Sequence, residues 1–410
     1  MLKFLKNIGP GTVIAAAFIG PGTITMCSIA GSVYGLDLMW ALVFSLFVTT
    51  ILQLTAAKIG LITQKGLSAN LLDSFNNSFF KYLSVVLVLS AILVGNIAYE
   101  AGNISGGVLG VSSIFGNLSY SFNGFSIDFY SILVGLLAFV ILFIGNTRLI
   151  ERVLIALVVI MSLAFLTSAI IVKPDFYLII KGLFIPKFPE GSLLVIIGLI
   201  GTTVVPYNIF LHASLVSDKW SGISDLKFVK IDTLLAVVLG GIISISVMIT
   251  ASAIGDVKIE SASDLALGIE PLFGGFSKLI ISLGLFAAGL TSSVTAPLAA
   301  AYVTCGCMGW KANVRSKKFR TVWFIVLFSG ILFSSLDFKS VEIIKFAQVA
   351  NGILLPVIAI FLLIVANNKK LLKNHVNGYL FNFITVIIIL FTMFIGIKSI
   401  LSVIGLNRVI

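Results

Sequence analysis

The stretch whose reading decides the fold is AAAFIGPGTITMCSIAG, residues 15–31. It is apolar on both sides, as a membrane-spanning helix would be, yet Gly20-Pro21-Gly22 interrupts it at its middle. A bilayer core holds no water to satisfy the backbone groups that a break sets free, and each group left unpaired costs several kcal/mol. A break at that depth therefore reads as a site. The question is what it binds, since no charged side chain neighbours it in the sequence.

The chain around it is a membrane chain. Of its 410 residues, 59% are hydrophobic and only 10% charged, a balance that no soluble domain of this length could bury. Apolar segments at 9–34, 38–63, 80–112, 128–146, 150–172, 192–217, 233–255, 273–303, 321–336, 342–366 and 379–404 predict eleven transmembrane helices in one all-α, polytopic domain covering 1–410. The basic start from Met1 to Asn7 leads into an apolar run too long for the core of a signal peptide. Net charge is +11, but the basic residues gather in short loops, which points to anionic headgroups and topology rather than nucleic acid. With the N-terminus inside, one face takes 18 of the 27 Lys and Arg residues. That bias places the N-terminus in the cytoplasm and, for eleven spans, the C-terminus outside. A plasma membrane, bacterial inner membrane in type, is the expected location. Cys27, Cys305 and Cys307 lack partner ligands at zinc spacing and read as small packing residues.

A second interruption matches the first. Val204-Val205-Pro206-Tyr207-Asn208 breaks the sixth span as Ile19-Gly20-Pro21-Gly22-Thr23 breaks the first, each opening a five-helix half. Proline kinks alone explain many bent membrane helices. Paired interruptions at corresponding places of two halves point instead to the central site of a transporter.

At these residues the chain resembles the natural resistance-associated macrophage protein (Nramp) family of transition-metal transporters. Gly9-Pro10-Gly11 with Phe18-Ile19-Gly20-Pro21-Gly22-Thr23 looks like that family's first helix. Ala56-Ala57-Lys58-Ile59-Gly60-Leu61-Ile62-Thr63 looks like the end of its second, Val205 to Val216 like its sixth, and Phe286 to Thr295 like its eighth. The resemblance implies a LeuT-type fold of two inverted five-helix repeats, about 9–172 and 192–366, with an extra helix at 379–404 and broken helices one and six. It also implies that a monomer suffices. The departures are as informative as the matches. Where the family has a metal-binding Asp and Asn around Pro-Gly, this chain has Gly20 and Thr23. Where the family has a methionine and a histidine flanking the sixth-helix proline, it has Val205 and Tyr207. The small residue three places before that methionine corresponds to Thr202.

A dehydrated divalent cation wants carboxylate or nitrogen ligands, and neutral hydroxyls and carbonyls repay its hydration poorly. No metal ligand set is therefore assigned. A helix restarting at mid-membrane presents free N–H groups and a positive dipole end, which suits an anion. The N–H groups around Gly22, Thr23, Ile24 and Thr25 are the candidate donors, with Thr202, Thr203, Tyr207 and Asn208 adding side-chain groups. The expected substrate-binding set is thus Gly20, Pro21, Gly22, Thr23, Ile24, Thr202, Thr203, Val205, Tyr207 and Asn208. The expected cargo is a small inorganic anion such as bicarbonate. A divalent metal carried through an unusual site is the principal alternative. A channel or a sensor on a transporter scaffold is the second.

Glu100 is a carboxylate inside the third span, and intramembrane ionisable groups are functional by default. It matches an acidic position on the family's proton route, whose second acid is replaced by Asn103. His212 matches a family histidine. Glu100, Asn103 and His212 are the expected coupling residues, with H⁺ or Na⁺ the expected coupling ion and no cofactor. Gln348 and Asn351 read as interhelical hydrogen-bonding groups, and Ser292, Ser293 and Thr295 as close-packing residues. Lys58, near the inner end of its span, is expected to snorkel. No Walker-type loop, HExxH or His/Cys cluster points to an enzyme.

Overall fold

The computed structural model describes residues 10, 11, 15, 18–122, 125–145, 148–336 and 338–403. Gly9 and the first lysines lie outside the described residues. Twelve longer helices are labelled in chain order, and shorter ones are named by their residues. The first half holds α1 (Pro21–Tyr34), α2 (Met39–Thr63), α3 (Ser78–Phe115), α4 (Phe129–Ile144) and α5 (Arg148–Ile171). The second half holds α6 (Leu193–Thr203), α7 (Pro206–Lys219), α8 (Leu226–Ser252), α9 (Ser277–Cys307), α10 (Lys317–Ser334), α11 (Ser340–Ala366) and α12 (Tyr379–Val403).

Each of the eleven apolar segments contains helix, but fewer than eleven meet the length and composition of a span. Seven described helical stretches do, or eight when Val158–Ile171 and Phe176–Phe184, bent by 118°, count as one. The shortfall has local causes. Phe129–Ile144 has only 16 residues, and Lys317–Ser334 begins with Lys317, Lys318 and Arg320. The bend follows Lys173, whose φ is +48°, and Pro174, which cannot extend a helix because it has no N–H. Asp175 then starts the next helix by accepting the Tyr177 N–H at 2.8 Å. At 38 residues, α3 is ~57 Å long at 1.5 Å per residue, well beyond the hydrocarbon thickness. Its C-terminal end leads into an antiparallel hairpin, Ser119–Phe122 against Phe125–Asp128, which the apolar pattern does not predict. Asp128 ends the hairpin and caps α4, accepting the Tyr130 N–H at 2.7 Å.

The core sits around the first break. α9 and α11 pack on α3, α8 packs on α1 and α2, and α6 packs on α11, so α1 is enclosed by α3, α6, α8 and α11. Outward, large apolar side chains such as Phe79, Phe115, Phe328, Phe333 and Leu390 are exposed, as a lipid-facing surface requires. Cys27, Cys305 and Cys307 are buried free thiols. Lys58 is part-buried and its ammonium donates to Asn377 Oδ1 at 2.5 Å, so its reach ends on a protein partner.

Candidate functional site

The first break satisfies itself. Gly20 is extended (φ −79°, ψ 171°) and caps α1, with Pro21 in the first helical position, where its missing N–H costs nothing. The Gly20 carbonyl accepts the N–H groups of Thr23 at 3.1 Å and Ile24 at 3.4 Å. The Thr23 hydroxyl reaches back across the break and donates to the Phe18 carbonyl at 2.5 Å. The expected free N–H groups at Thr23 and Ile24 are therefore corrected: both are taken by the carbonyl three and four residues earlier, as in any well-formed first turn. Gly22 N–H is the donor of that turn left without a backbone acceptor among the described residues.

The second break follows the same plan with different side chains. α6 ends as Val204 N–H donates to the Ile200 carbonyl at 2.8 Å. Val205 is the extended cap, Pro206 occupies the first helical position, and Asn208 N–H donates to the Val205 carbonyl at 3.1 Å. Val205 is fully buried and packs in the apolar core. Thr203 is turned to its own helix: its hydroxyl donates to the Leu199 carbonyl at 2.9 Å, and its carbonyl accepts from Thr49 at 3.4 Å. The expected role of the Thr203 hydroxyl as a donor to cargo is thereby weakened, because its proton is already engaged.

The two breaks meet. Thr23 and Thr202 hydroxyl oxygens stand 2.9 Å apart, 179 residues distant in sequence. Gln348 of α11 touches both breaks. Its side-chain amide lies where a Cβ on Gly22 would be, and its carbonyl lies where a Cβ on Gly201 would be. Only glycine permits either approach.

Several polar atoms here are buried without a hydrogen-bond partner: Thr25 Oγ1, Tyr207 Oη, Asn208 Nδ2 and Oδ1, Gln348 Oε1 and Asn351 Nδ2. Buried polar groups are normally paired, so atoms left open on the helices of the two breaks and on α11 make these helices candidates for a site. Gln348 makes an interhelical hydrogen bond of the kind expected of it, to Tyr99 of α3, and keeps Oε1 over. The signal of Gln348 and Asn351 in the sequence is a pair of amides at i and i+3 in an otherwise apolar span. Tyr99, which sequence reasoning missed, stands edge-on to Tyr207 with ring centroids 5.2 Å apart at 66°. Nothing in its apolar helix singles it out beyond its position beside Glu100.

The coupling candidates fall into two clusters. Glu100 is fully buried; Asn103 Nδ2 donates to its Oε2 at 3.4 Å, Ser293 lies beside it, and its Oε1 has no hydrogen-bond partner. Ser293 was expected only to pack. His212 pairs through Nδ1 with Gln53 Oε1 at 2.7 Å, and its Nε2 is unpartnered. Gln53, on α2, is a second residue that the sequence did not announce. Among the described residues, no group of three or more His, Cys, Asp or Glu converges as metal ligands would.

Comparison with known proteins bears on this geometry. The family model described as natural resistance-associated macrophage protein-like matches residues 11–402. A divalent metal cation transporter MntH of Caldanaerobacter subterraneus is 26% identical over 406 residues, covering 96% of this chain and 92% of the relative. A protein of the same name from Yersinia pestis is 26% identical over 414 residues, covering 98% and 94%. A manganese transporter of Eremococcus coleocola has a similar structure, with a TM-score of 0.77 at 18% identity, covering 97% of this chain and 87% of that one. A nucleobase-cation-symport-1 family transporter in a closed conformation aligns with a TM-score of 0.55 at 14% identity, covering 92% and 81%. These likenesses identify the fold as the LeuT-type arrangement of helices broken at the centre. With a family match across nearly the whole chain, this protein belongs to the Nramp family and is a membrane transporter rather than an enzyme.

Proposed function

We propose that this integral membrane transporter carries a small inorganic anion, bicarbonate first among the candidates, by exposing the paired breaks alternately to the two sides of the membrane. One observation carries the reading. The groups left open at the breaks are neutral and include donors: Gly22 N–H, the Tyr207 hydroxyl and the amide of Asn208. Gly20 stands where a carboxylate would repel an anion. Open N–H donors at the start of a helix, aided by its dipole, favour negative charge. A site without fixed positive charge suits a weakly held monovalent oxyanion better than phosphate.

A second reading has the relatives on its side. The two sequence relatives named above are divalent metal cation transporters, and the breaks also present oxygen lone pairs on Thr23, Thr202, Asn208 and Gln348. A divalent ion that kept much of its water shell could use such neutral oxygens. Paired flux into liposomes separates the two. Bicarbonate uptake above empty vesicles without Mn²⁺ or Mg²⁺ uptake supports the anion, and metal uptake alone supports the second reading.

In the proposed cycle Glu100, with Asn103, accepts the coupling proton or neighbours a coupling Na⁺, and His212 tunes α7 through Gln53. The repeats span about 9–172 and 192–366, followed by an extra helix at 379–404. The monomer is the working unit, with the N-terminus cytoplasmic and the C-terminus outside.

A further inference from the structure

We infer that Thr202 is the residue at which the charge of the cargo decides whether the two helix breaks stay joined. For its direction this rests on the anion reading above; the joint itself does not.

A hydroxyl has one proton to donate and two lone pairs with which to accept. The Thr23 proton goes to the Phe18 carbonyl at 2.5 Å. Nothing is left for Thr202, so the 2.9 Å contact runs from the Thr202 hydroxyl to Thr23 Oγ1. Three pieces of chain are thereby strung on one relay. α6 donates to α1, and α1 donates across its own break to the segment that precedes it. Thr23 is 3% exposed and Thr202 1%, so water does not compete for the relay. Thr203 cannot replace Thr202, because its own proton is held by the Leu199 carbonyl.

The two signs of charge act on this relay in opposite ways. A cation approaches lone pairs. It can sit on the Thr202 and Thr23 oxygens while both protons stay where they are, and the joint is kept. An anion needs the proton, and the Thr202 proton is the one that forms the joint. When Thr202 turns its O–H to an oxyanion, α6 lets go of α1 while Thr23 keeps its bond to Phe18. Anion binding and release of one break from the other are then a single event, which links cargo to reorientation.

Hydrogen–deuterium exchange on the full-length protein in nanodiscs tests this at fixed pH, followed in peptides that cover residues 18–28 and 197–208. Thr202→Val keeps the shape and removes the proton, whereas Thr202→Ser keeps the proton. Without any cargo ion, Val is expected to raise exchange in both peptides about fivefold, the effect of one buried hydrogen bond, and Ser to leave it unchanged. Unchanged exchange in α9 peptides confirms that the variant is folded; were Val to disrupt those too, Thr202→Ala is read in its place. Bicarbonate should raise exchange in the unmodified protein and add nothing to Val, and Mn²⁺ should lower it. Exchange in Val and Ala equal to the unmodified protein overturns the joint. A raised baseline in Val, together with an unmodified protein that responds to Mn²⁺ but not to bicarbonate, upholds the joint and removes the anion reading. An unmodified protein that responds to neither ion overturns the charge rule.

Discussion

The two breaks use one backbone device and differ in what they leave over. In the first, Gly20 and Thr23 close nearly every freed backbone group by local hydrogen bonds. In the second, among the described residues, the Val205 carbonyl takes the Asn208 N–H alone, and Tyr207 and Asn208 carry buried side-chain polar atoms with no partner. On the function proposed above, the first break would serve as a hinge with a latch, leaving Gly22 N–H and the Thr25 hydroxyl open, and the second would supply the larger share of the recognition surface. Alternating access needs both, since an element that binds and an element that moves answer to different demands. Gln348 connects them, with its flexible amide on the first break and its rigid backbone on the second.

The strongest way to break this contrast is through the glycines under Gln348. A Cβ at Gly201 would meet α11 backbone, including Gly352 N at 2.6 Å, so Gly201→Val must push two helices apart. We expect a loss of about 3 kcal/mol or more, near the upper end of overpacking effects, seen as a large fall in thermal midpoint. Gly22→Ala meets only the end of the Gln348 side chain and should cost clearly less, measured in the same scan. Equal falls would mean that both breaks are equally rigid.

Recognition at the second break is sharpened by Asn208→Ala, which removes two open polar atoms. Flux of whichever ion is carried should drop about tenfold to a hundredfold, matching one or two charge-assisted hydrogen bonds, with a rise in KM. Tyr207→Phe should give a smaller fall in the same direction. Thr25→Val, at the first break, should change flux less than either, and a larger effect there would move recognition to α1.

Glu100→Gln addresses coupling. The carboxylate is buried on α3 beside Asn103 and Ser293. The pH dependence of flux should flatten in this variant while cargo affinity changes little. A retained profile would leave Glu100 a structural group.

The smallest effect lies outside the membrane. Hydrogen bonds from the Lys258 and Lys339 ammonium groups hold the Glu260 carboxyl down to about 2, below its ordinary 4.5. Because the folded value is depressed, the stability it contributes is present above pH 4.5 and is lost as pH falls towards 2. Lys339→Met should therefore lower the thermal midpoint slightly at pH 7, and the gap should close across that window. The pairs are exposed, so the difference should be small and shrink further in salt.

Much of this architecture was legible before any coordinates. The composition, the eleven apolar segments and the paired Pro/Gly interruptions depend on local chemistry: hydrophobicity sets burial in lipid, and proline and glycine set where a helix stops. Gly20, Pro21 and Pro206 occupy the capping positions that their residue types favour, whereas Val205 is an N-cap held by the proline after it. Other features were decided only by the tertiary structure, because they depend on which groups meet across long separations. The Thr23 and Ile24 N–H groups looked free until the Gly20 carbonyl was seen to fold back over them. Thr202 and Thr203 are indistinguishable neighbours in sequence, yet one faces Thr23 and the other its own helix, because successive helical residues point about 100° apart. Gln53, Tyr99 and Gln348 join the site through contacts of α2 and α3 with α7 and of α11 with α1 and α6 that no local pattern encodes. The sequence by itself determined where the helices break; packing determined which of the groups released at the breaks remain open to a cargo ion.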